Sequence, residues 1–188
     1  MERIRTLLES HAKLSDSEWM IFSSKLQSRS YPKKTVILKK GETENYLSFI
    51  DKGIVRLYIP KVENDLTFGF VFSNQFVSAY DSFLTRTPCV YQVEAITKTT
   101  LLQISYRDLQ EIYLKTDVGN TIGRKNAEDL FLIKSRRELS LLSKTAEERY
   151  LDLFSDRPDL IKQIPLKYIA SYIGITPQAL SRIRKRIS

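Results

Sequence analysis

From Thr176 to Arg186 the sequence reads TPQALSRIRKR. On a helix, Gln178, Ser181, Arg182 and Lys185 fall three and four residues apart, which places them on one face. Of these, Gln178, Ser181 and Arg182 suit the edges of base pairs. Arg182 can donate a bidentate pair to guanine O6 and N7, and Gln178 can pair with adenine N6 and N7. Ser181 can reach a base or a phosphate. Arg184, Lys185 and Arg186 suit phosphate oxygens, which position a protein on a duplex without reading its sequence. Between Leu160 and Ser188 there are six Lys or Arg and no Asp or Glu, so most of the net charge of +8 sits here. Charge alone would equally describe a solvated basic tail. The side-chain pattern is what points to double-stranded DNA as partner.

Such a face needs a rigid mount, and the preceding residues supply one. Leu166–Ile173 reads as a short helix with Ile169, Ala170 and Ile173 inward. Ala170 is small where two helices must approach closely. Gly174 can take the left-handed conformation that ends a helix. Ile175 plugs the turn, Thr176 is a good N-cap and Pro177 a good first helical residue. The second helix then buries Leu180 and Ile183, six and nine residues after the glycine. This is the spacing of a helix-turn-helix, whose second helix enters the major groove. A generic helical hairpin would explain the apolar residues. It would not explain Ala170, Gly174, the Thr-Pro cap and an acid-free basic face together.

Further upstream the periodicity changes twice. Residues 1–28 read as helical, with a capping box at Ser15-Asp-Ser-Glu18 and an apolar stripe of Trp19, Phe22 and Leu26. From Tyr31 to Ser105 short strands follow: Thr35–Leu38, Tyr46–Ile50, Ile54–Ile59, Leu66–Phe72, Val90–Ile96 and Leu101–Ile104. Their even spacing predicts an antiparallel sandwich or roll, with Asp51-Lys52-Gly53 as a hairpin-type turn. Tyr106–Leu114 then reads as a short helix and Thr116–Leu142 as a long one of roughly 40 Å. The long helix either packs wholly on its own roll or gives one face to a partner chain. Thr145-Ala-Glu-Glu148 is a second capping box, opening a helix that Asp156-Arg-Pro158 ends.

Other classes of function lack their residues. The sequence shows no metal-ligand cluster, no nucleophile with a base at a recognisable spacing and no glycine-rich phosphate loop, so an enzyme is not expected, nor a metal or a cofactor. No run of about 18 apolar residues suggests a membrane span, and the charged N-terminus does not read as a secretory signal. A cytoplasmic protein is predicted. The single cysteine, Cys89, permits no internal disulfide, and a lone strand cysteine reads as a small hydrophobe before it reads as a redox switch.

Taken together, these stretches resemble the Crp/Fnr family of bacterial transcription regulators over essentially the whole chain. VILKKGETENYLSFIDKGIVRLY is similar to the first strands of the family's cyclic-nucleotide-binding-type β-roll, with Gly41 and Gly53 at turns. QFVSAYDSFLTRTPCVYQVEAITKTTLLQIS is similar to its later strands and short pocket helix, and IPLKYIASYIGITPQALSRIRKRI to its helix-turn-helix. The resemblance implies an α+β fold: an N-terminal antiparallel double-stranded, jelly-roll-like β-roll (residues 1–115), a long dimerisation helix (116–143) and a C-terminal helix-turn-helix (144–188) with a truncated wing. It implies a homodimer on an inverted repeat, contacting RNA polymerase if it activates.

The effector pocket departs from the cyclic-AMP-binding members. Those carry Gly-Glu before the pocket helix and Arg-Ser after it, for the ribose and the phosphate. Here Ser78-Ala79 and Cys89-Val90 stand in their places, so no cyclic AMP response is expected. Tyr80, Phe83 and Tyr91 could line a remodelled pocket or simply pack the core. The oxygen-sensing members' N-terminal cysteine cluster is absent, and His11, the one candidate haem ligand, is expected to be solvated. The expected DNA-reading set is Thr176, Gln178, Ser181, Arg182, Arg184, Lys185 and Arg186. Many members carry Glu where Gln178 stands. The competing expectation is an effector-sensing or protein-interaction module with a vestigial DNA-binding segment.

Overall fold

The structure is a computed structural model that describes residues 1–187, apart from the side chain of Asp117. Two helices open the chain, α1 (Glu2–Glu9) and α2 (Asp16–Ser24). Ser15 caps α2 through the full reciprocal box with Glu18. The expected single helical stretch is thus broken at residues 10–15, because this cap starts a new helix rather than continuing the old one.

Among the described residues, eight strands follow in two four-stranded sheets. They are β1 (Gln27–Tyr31), β2 (Thr35–Leu38), β3 (Tyr46–Lys52), β4 (Ile54–Ile59), β5 (Leu66–Phe72), β6 (Phe76–Val77), β7 (Gln92–Ala95) and β8 (Thr99–Ser105). The sheet orders are β1-β8-β3-β6 and β2-β7-β4-β5. β3 and β4 therefore lie in different sheets, and Asp51-Lys52-Gly53 is a corner rather than the hairpin expected. Gly53 sits at φ +114°, and a Cβ there would lie 2.7 Å from the Thr99 Cα and 2.8 Å from the Lys98 carbonyl oxygen. Only glycine fits a corner that closes on β8.

Between β6 and β7 lies the short helix α3 (Tyr80–Thr85). After β8 come α4 (Tyr106–Lys115), α5 (Asp117–Ser143), α6 (Ala146–Asp156), α7 (Pro158–Gln163), α8 (Leu166–Ile173) and α9 (Pro177–Ile187). Thr145 caps α6 through the second capping box. Pro158 does more than stop α6: it takes the first helical position of α7, where its missing N–H costs nothing.

The chain forms two compact units. The first holds residues 1–57 and 70–129, and the second residues 58–69 and 130–188. In the first, Ile4, Leu8 and Leu14 bury against Phe49, Leu102 and Ile122, with Trp19, Phe22 and Phe76 around them. Phe83 of α3, Ile104 of β8 and Leu109 and Ile112 of α4 make a second cluster. Burying side chains of this size contributes about 1.5–3 kcal/mol each, so α1, α2 and α4 are integral to the roll. His11, expected to be solvated, has a side chain only 16% exposed, 3.9 Å from the Asp129 carboxylate. In the second unit Tyr150, Leu153, Leu160, Ile164, Ile169, Ala170, Ile173, Leu180 and Ile183 are buried. The tip of the β4–β5 hairpin, residues 58–69, belongs to this unit too.

Candidate functional site

The second unit carries the helical pair the sequence points to. α8 ends on Gly174 at φ +81°, and the Ile175 N–H returns 3.0 Å to the Ala170 carbonyl. Ala170 is fully buried where α8 meets its neighbours. Thr176 accepts the Ala179 N–H at 3.2 Å and starts α9. Leu180 and Ile183 turn inward. Gln178, Ser181, Arg182 and Lys185 share the opposite, exposed face, as do Thr176, Arg184 and Arg186 in exposure. Arg186 is engaged within the unit, donating to the Glu147 carboxylate of α6. The face therefore offers one carboxamide, hydroxyls and a row of guanidinium and ammonium groups, with an acidic residue of α6 holding its far end.

Two guanidinium groups support this pair from behind. Arg149 Nε donates to the Ile173 carbonyl at 3.0 Å, and Arg137 of α5 donates to the Tyr172 carbonyl at 2.7 Å. Both satisfy carbonyls that a helix end leaves open, and both are cations at its negative pole.

In the first unit, the residues around α3 form a closed polar network. Glu44 is buried, and its carboxylate accepts the Tyr46 N–H at 3.0 Å and the Ala79 N–H at 3.3 Å. Its own N–H donates to the Ser82 hydroxyl at 3.1 Å. Burial raises the Glu44 carboxyl above the usual range, against the pull of those N–H groups. Arg86, left-handed at φ +58°, ends α3 and donates to the Glu44 carbonyl at 2.6 Å and to the Phe83 carbonyl at 3.2 Å. It also stacks 4.6 Å over Tyr106. The Tyr91 hydroxyl donates to the Asp81 carboxylate, and burial together with that carboxylate pushes the tyrosine well up.

Of the six residues expected at the pocket, Ala79, Cys89 and Tyr91 are buried around this network. Ser78 is half-buried and bonds to the Tyr46 carbonyl at 3.0 Å. Tyr80 stacks on Phe83, centroids 6.1 Å apart, within the core. Val90 is 63% exposed. Burial raises the Cys89 thiol, which disfavours the reactive thiolate. Glu44 and Arg86 were not anticipated: in KKGETEN the glutamate reads as one more turn residue. Among the described residues no group of three His, Cys, Asp or Glu could hold a metal, and no helix is long and apolar enough to cross a membrane.

Residues 28–116 match the cyclic nucleotide-binding domain family. A protein from Eubacterium rectale, described as a transcriptional regulator of the Crp/Fnr family, is similar to the chain with a TM-score of 0.73. Identity is 16%, covering 92% of this chain and 83% of that one. The chain has the Crp/Fnr fold. The c-di-GMP-responsive global regulator CLP from Xanthomonas campestris is similar at TM-score 0.70 and 19% identity, covering 92% of this chain and 91% of its own. A CooA variant from Carboxydothermus hydrogenoformans is similar at TM-score 0.70 and 17% identity, covering 88% and 77%. A comparison with curated proteins finds no match.

The backbone N–H at Ala79 already meets a carboxylate of the protein's own, that of Glu44. Arg86, which ends α3, is committed to two carbonyls, to Asn45 and to Tyr106.

Proposed function

We propose that this chain is a sequence-specific DNA-binding transcription regulator, acting as a homodimer on an inverted repeat and not responsive to cyclic AMP. One observation carries the reading: α9 presents Gln178, Ser181, Arg182 and Lys185 on a single exposed face, mounted on α8 through a tight glycine turn. Arg182 and Gln178 would read base edges, with Ser181 beside them. Thr176, Arg184, Lys185 and Arg186 would hold phosphates.

Dimerisation would run through α5. In the second unit, Leu132, Leu139 and Leu142 are 48%, 61% and 79% exposed, and Phe131 69%. Leu132, Ser135, Leu139 and Leu142 are spaced three, four and three apart, the seam spacing of a two-stranded coiled coil. Apolar exposure on this scale marks an interaction surface, and a second copy of the same helix is the complementary partner. By role, residues 1–115 would sense, 116–143 would dimerise and 144–188 would bind DNA, with RNA polymerase as a further partner if the protein activates.

The residues around α3 support unresponsiveness to cyclic AMP. An entering phosphate would face the Glu44 and Asp81 carboxylates while Arg86 is engaged elsewhere, and an uncompensated buried anion costs several kcal/mol. Ser78, Ala79, Tyr80, Cys89, Val90 and Tyr91 would then serve a different effector, or none.

The test is selection from a random DNA pool with purified protein at two salt concentrations. An enriched inverted repeat, lost on Arg182→Ala, supports the reading. Steep salt dependence with no motif would favour a vestigial DNA-binding segment. Calorimetric titration with cyclic AMP should show no heat of binding; micromolar affinity would overturn that part.

A further inference from the structure

The last turn of α8 carries a serine that helix formation does not ask for. Ser171 sits between Ala170 and Tyr172, with its hydroxyl turned away from solvent into the second unit. It donates to the Asp65 carbonyl at 2.6 Å, accepts the Thr67 N–H at 2.8 Å and lies 2.8 Å from the Thr67 hydroxyl. A serine hydroxyl has one proton and two lone pairs, so three partners match its capacity. All three belong to the tip of the β4–β5 hairpin, and Thr67 is fully buried there. Arg137 of α5 joins the same point. It donates to the Thr67 carbonyl at 3.3 Å and to the Tyr172 carbonyl at 2.7 Å, and stacks 3.9 Å over the Tyr172 ring. Hairpin tip, α5 and α8 are thus joined at one turn of helix, immediately before Gly174 and the reading helix.

We propose that Ser171 and Arg137 are positioning residues for DNA reading. They hold the end of α8 to the hairpin tip and to α5, and so set the direction in which α9 presents Gln178, Ser181 and Arg182. This inference rests on the DNA-reading function proposed above. Neither residue faces DNA in this scheme. Ser171 carries no charge, and the guanidinium of half-buried Arg137 is engaged by the Thr67 and Tyr172 carbonyls and the Tyr172 ring, so neither is placed to supply a phosphate contact. Losing the clamp should misdirect base contacts while leaving the basic surface as it is. A misplacement of about 1 Å is enough to cost contacts that need bidentate geometry.

The experiment uses the full chain. Ser171→Ala and Arg137→Lys are compared with wild type on the selected repeat and on a scrambled duplex, with amide hydrogen exchange read in parallel. The expected result is about tenfold weaker binding to the repeat, unchanged binding to the scrambled duplex, and faster exchange confined to residues 65–67 and the end of α8. A third variant restores the clamp covalently. Thr67→Cys with Ser171→Cys places two sulfurs where oxygens lie 2.8 Å apart, within reach of a disulfide. Oxidation should return repeat binding to within about twofold of wild type and reduction should lose it again. Repeat binding unchanged in Ser171→Ala overturns the proposal. So does equal loss on both duplexes with exchange raised throughout α9, which would mean a structural role. If wild type selects no repeat, the DNA-reading function fails, and exchange alone then judges the clamp. Joint release of residues 65–67 and the α8 end in Ser171→Ala supports it, and no change overturns it.

Discussion

Three basic residues at the end of α9 should separate into three behaviours. Arg182 shares with Gln178 and Ser181 the exposed side proposed to face bases. Replacing it by Ala removes a bidentate contact of about 1–3 kcal/mol per half-site. A homodimer carries it twice, so the repeat should lose about 2–6 kcal/mol, roughly 30- to 10⁴-fold, while a scrambled duplex changes little. Lys185 is exposed on the same helix. As a phosphate contact it contributes about 0.9 to the slope of log affinity against log salt, or about 1.8 per dimer. Between about 50 and 200 mM salt, wild type should therefore weaken roughly tenfold more than Lys185→Ala does, on any sequence. Arg186 already donates to Glu147, so Arg186→Ala should lower the slope less than Lys185→Ala. Glu147→Gln should raise affinity for all duplexes by freeing the guanidinium. The assay is fluorescence anisotropy on matched and scrambled duplexes across a salt series. If Arg182→Ala and Lys185→Ala lower both duplexes alike with the same change in slope, the division into reading and anchoring residues is wrong.

Other outcomes follow from the same geometry. Gly53→Ala should lose about 2–6 kcal/mol in thermal unfolding, since it combines positive-φ strain with overlap against Thr99 and Lys98. Gly41→Ala has only the strain, with nothing within 4 Å of its Cβ, and should lose distinctly less; equal losses would refute the steric account. Burial raises the folded Glu44 carboxyl above its ordinary value of 4.5. Its stabilisation is therefore complete below that pH and is lost as pH rises through the folded value. Wild type should lose stability relative to Glu44→Gln from about pH 4.5 upward in urea titrations, and a constant difference would count against it. Leu139→Glu with Leu142→Glu should sediment as a monomer; a dimer of unchanged affinity would remove α5 as the interface. Native Cys89, buried with its thiol raised, should resist alkylation at neutral pH until urea unfolds the chain.

The helix-turn-helix was legible because each of its requirements is local. Ala170, Gly174 and Thr176-Pro177 mark the turn within seven residues, and the structure bounds α8 at Leu166 and Ile173 as the periodicity predicts. Both capping boxes were readable for the same reason. Pairing across sequence distance was not. β1, QSRSY, is a mostly exposed strand without an apolar pattern, and is defined only by its register with β8, Gln27 against Gln103 to Tyr31 against Thr99. β6 is two residues long. At Asp51-Lys52-Gly53 the turn residues were read correctly. Whether such a turn makes a hairpin or a corner depends on which distant strands each side joins. Likewise Glu44 and Ser171 look like surface polar residues until Ala79, and Asp65 with Thr67, are brought to them.

For any effector that entered beside α3, the Glu44 carboxylate would be a built-in competitor. It is tethered, always present at high effective concentration, and held by the Tyr46 and Ala79 N–H groups. A molecule entering beside α3 would bind only the fraction of chains in which this side chain has swung out, and its dissociation constant would rise by the inverse of that fraction. Its strength as a tenant would set the response threshold, so that Glu44→Ala makes the site more sensitive rather than inert. It would also select by charge, because a cationic or neutral guest could share the space with the carboxylate where an anion could not.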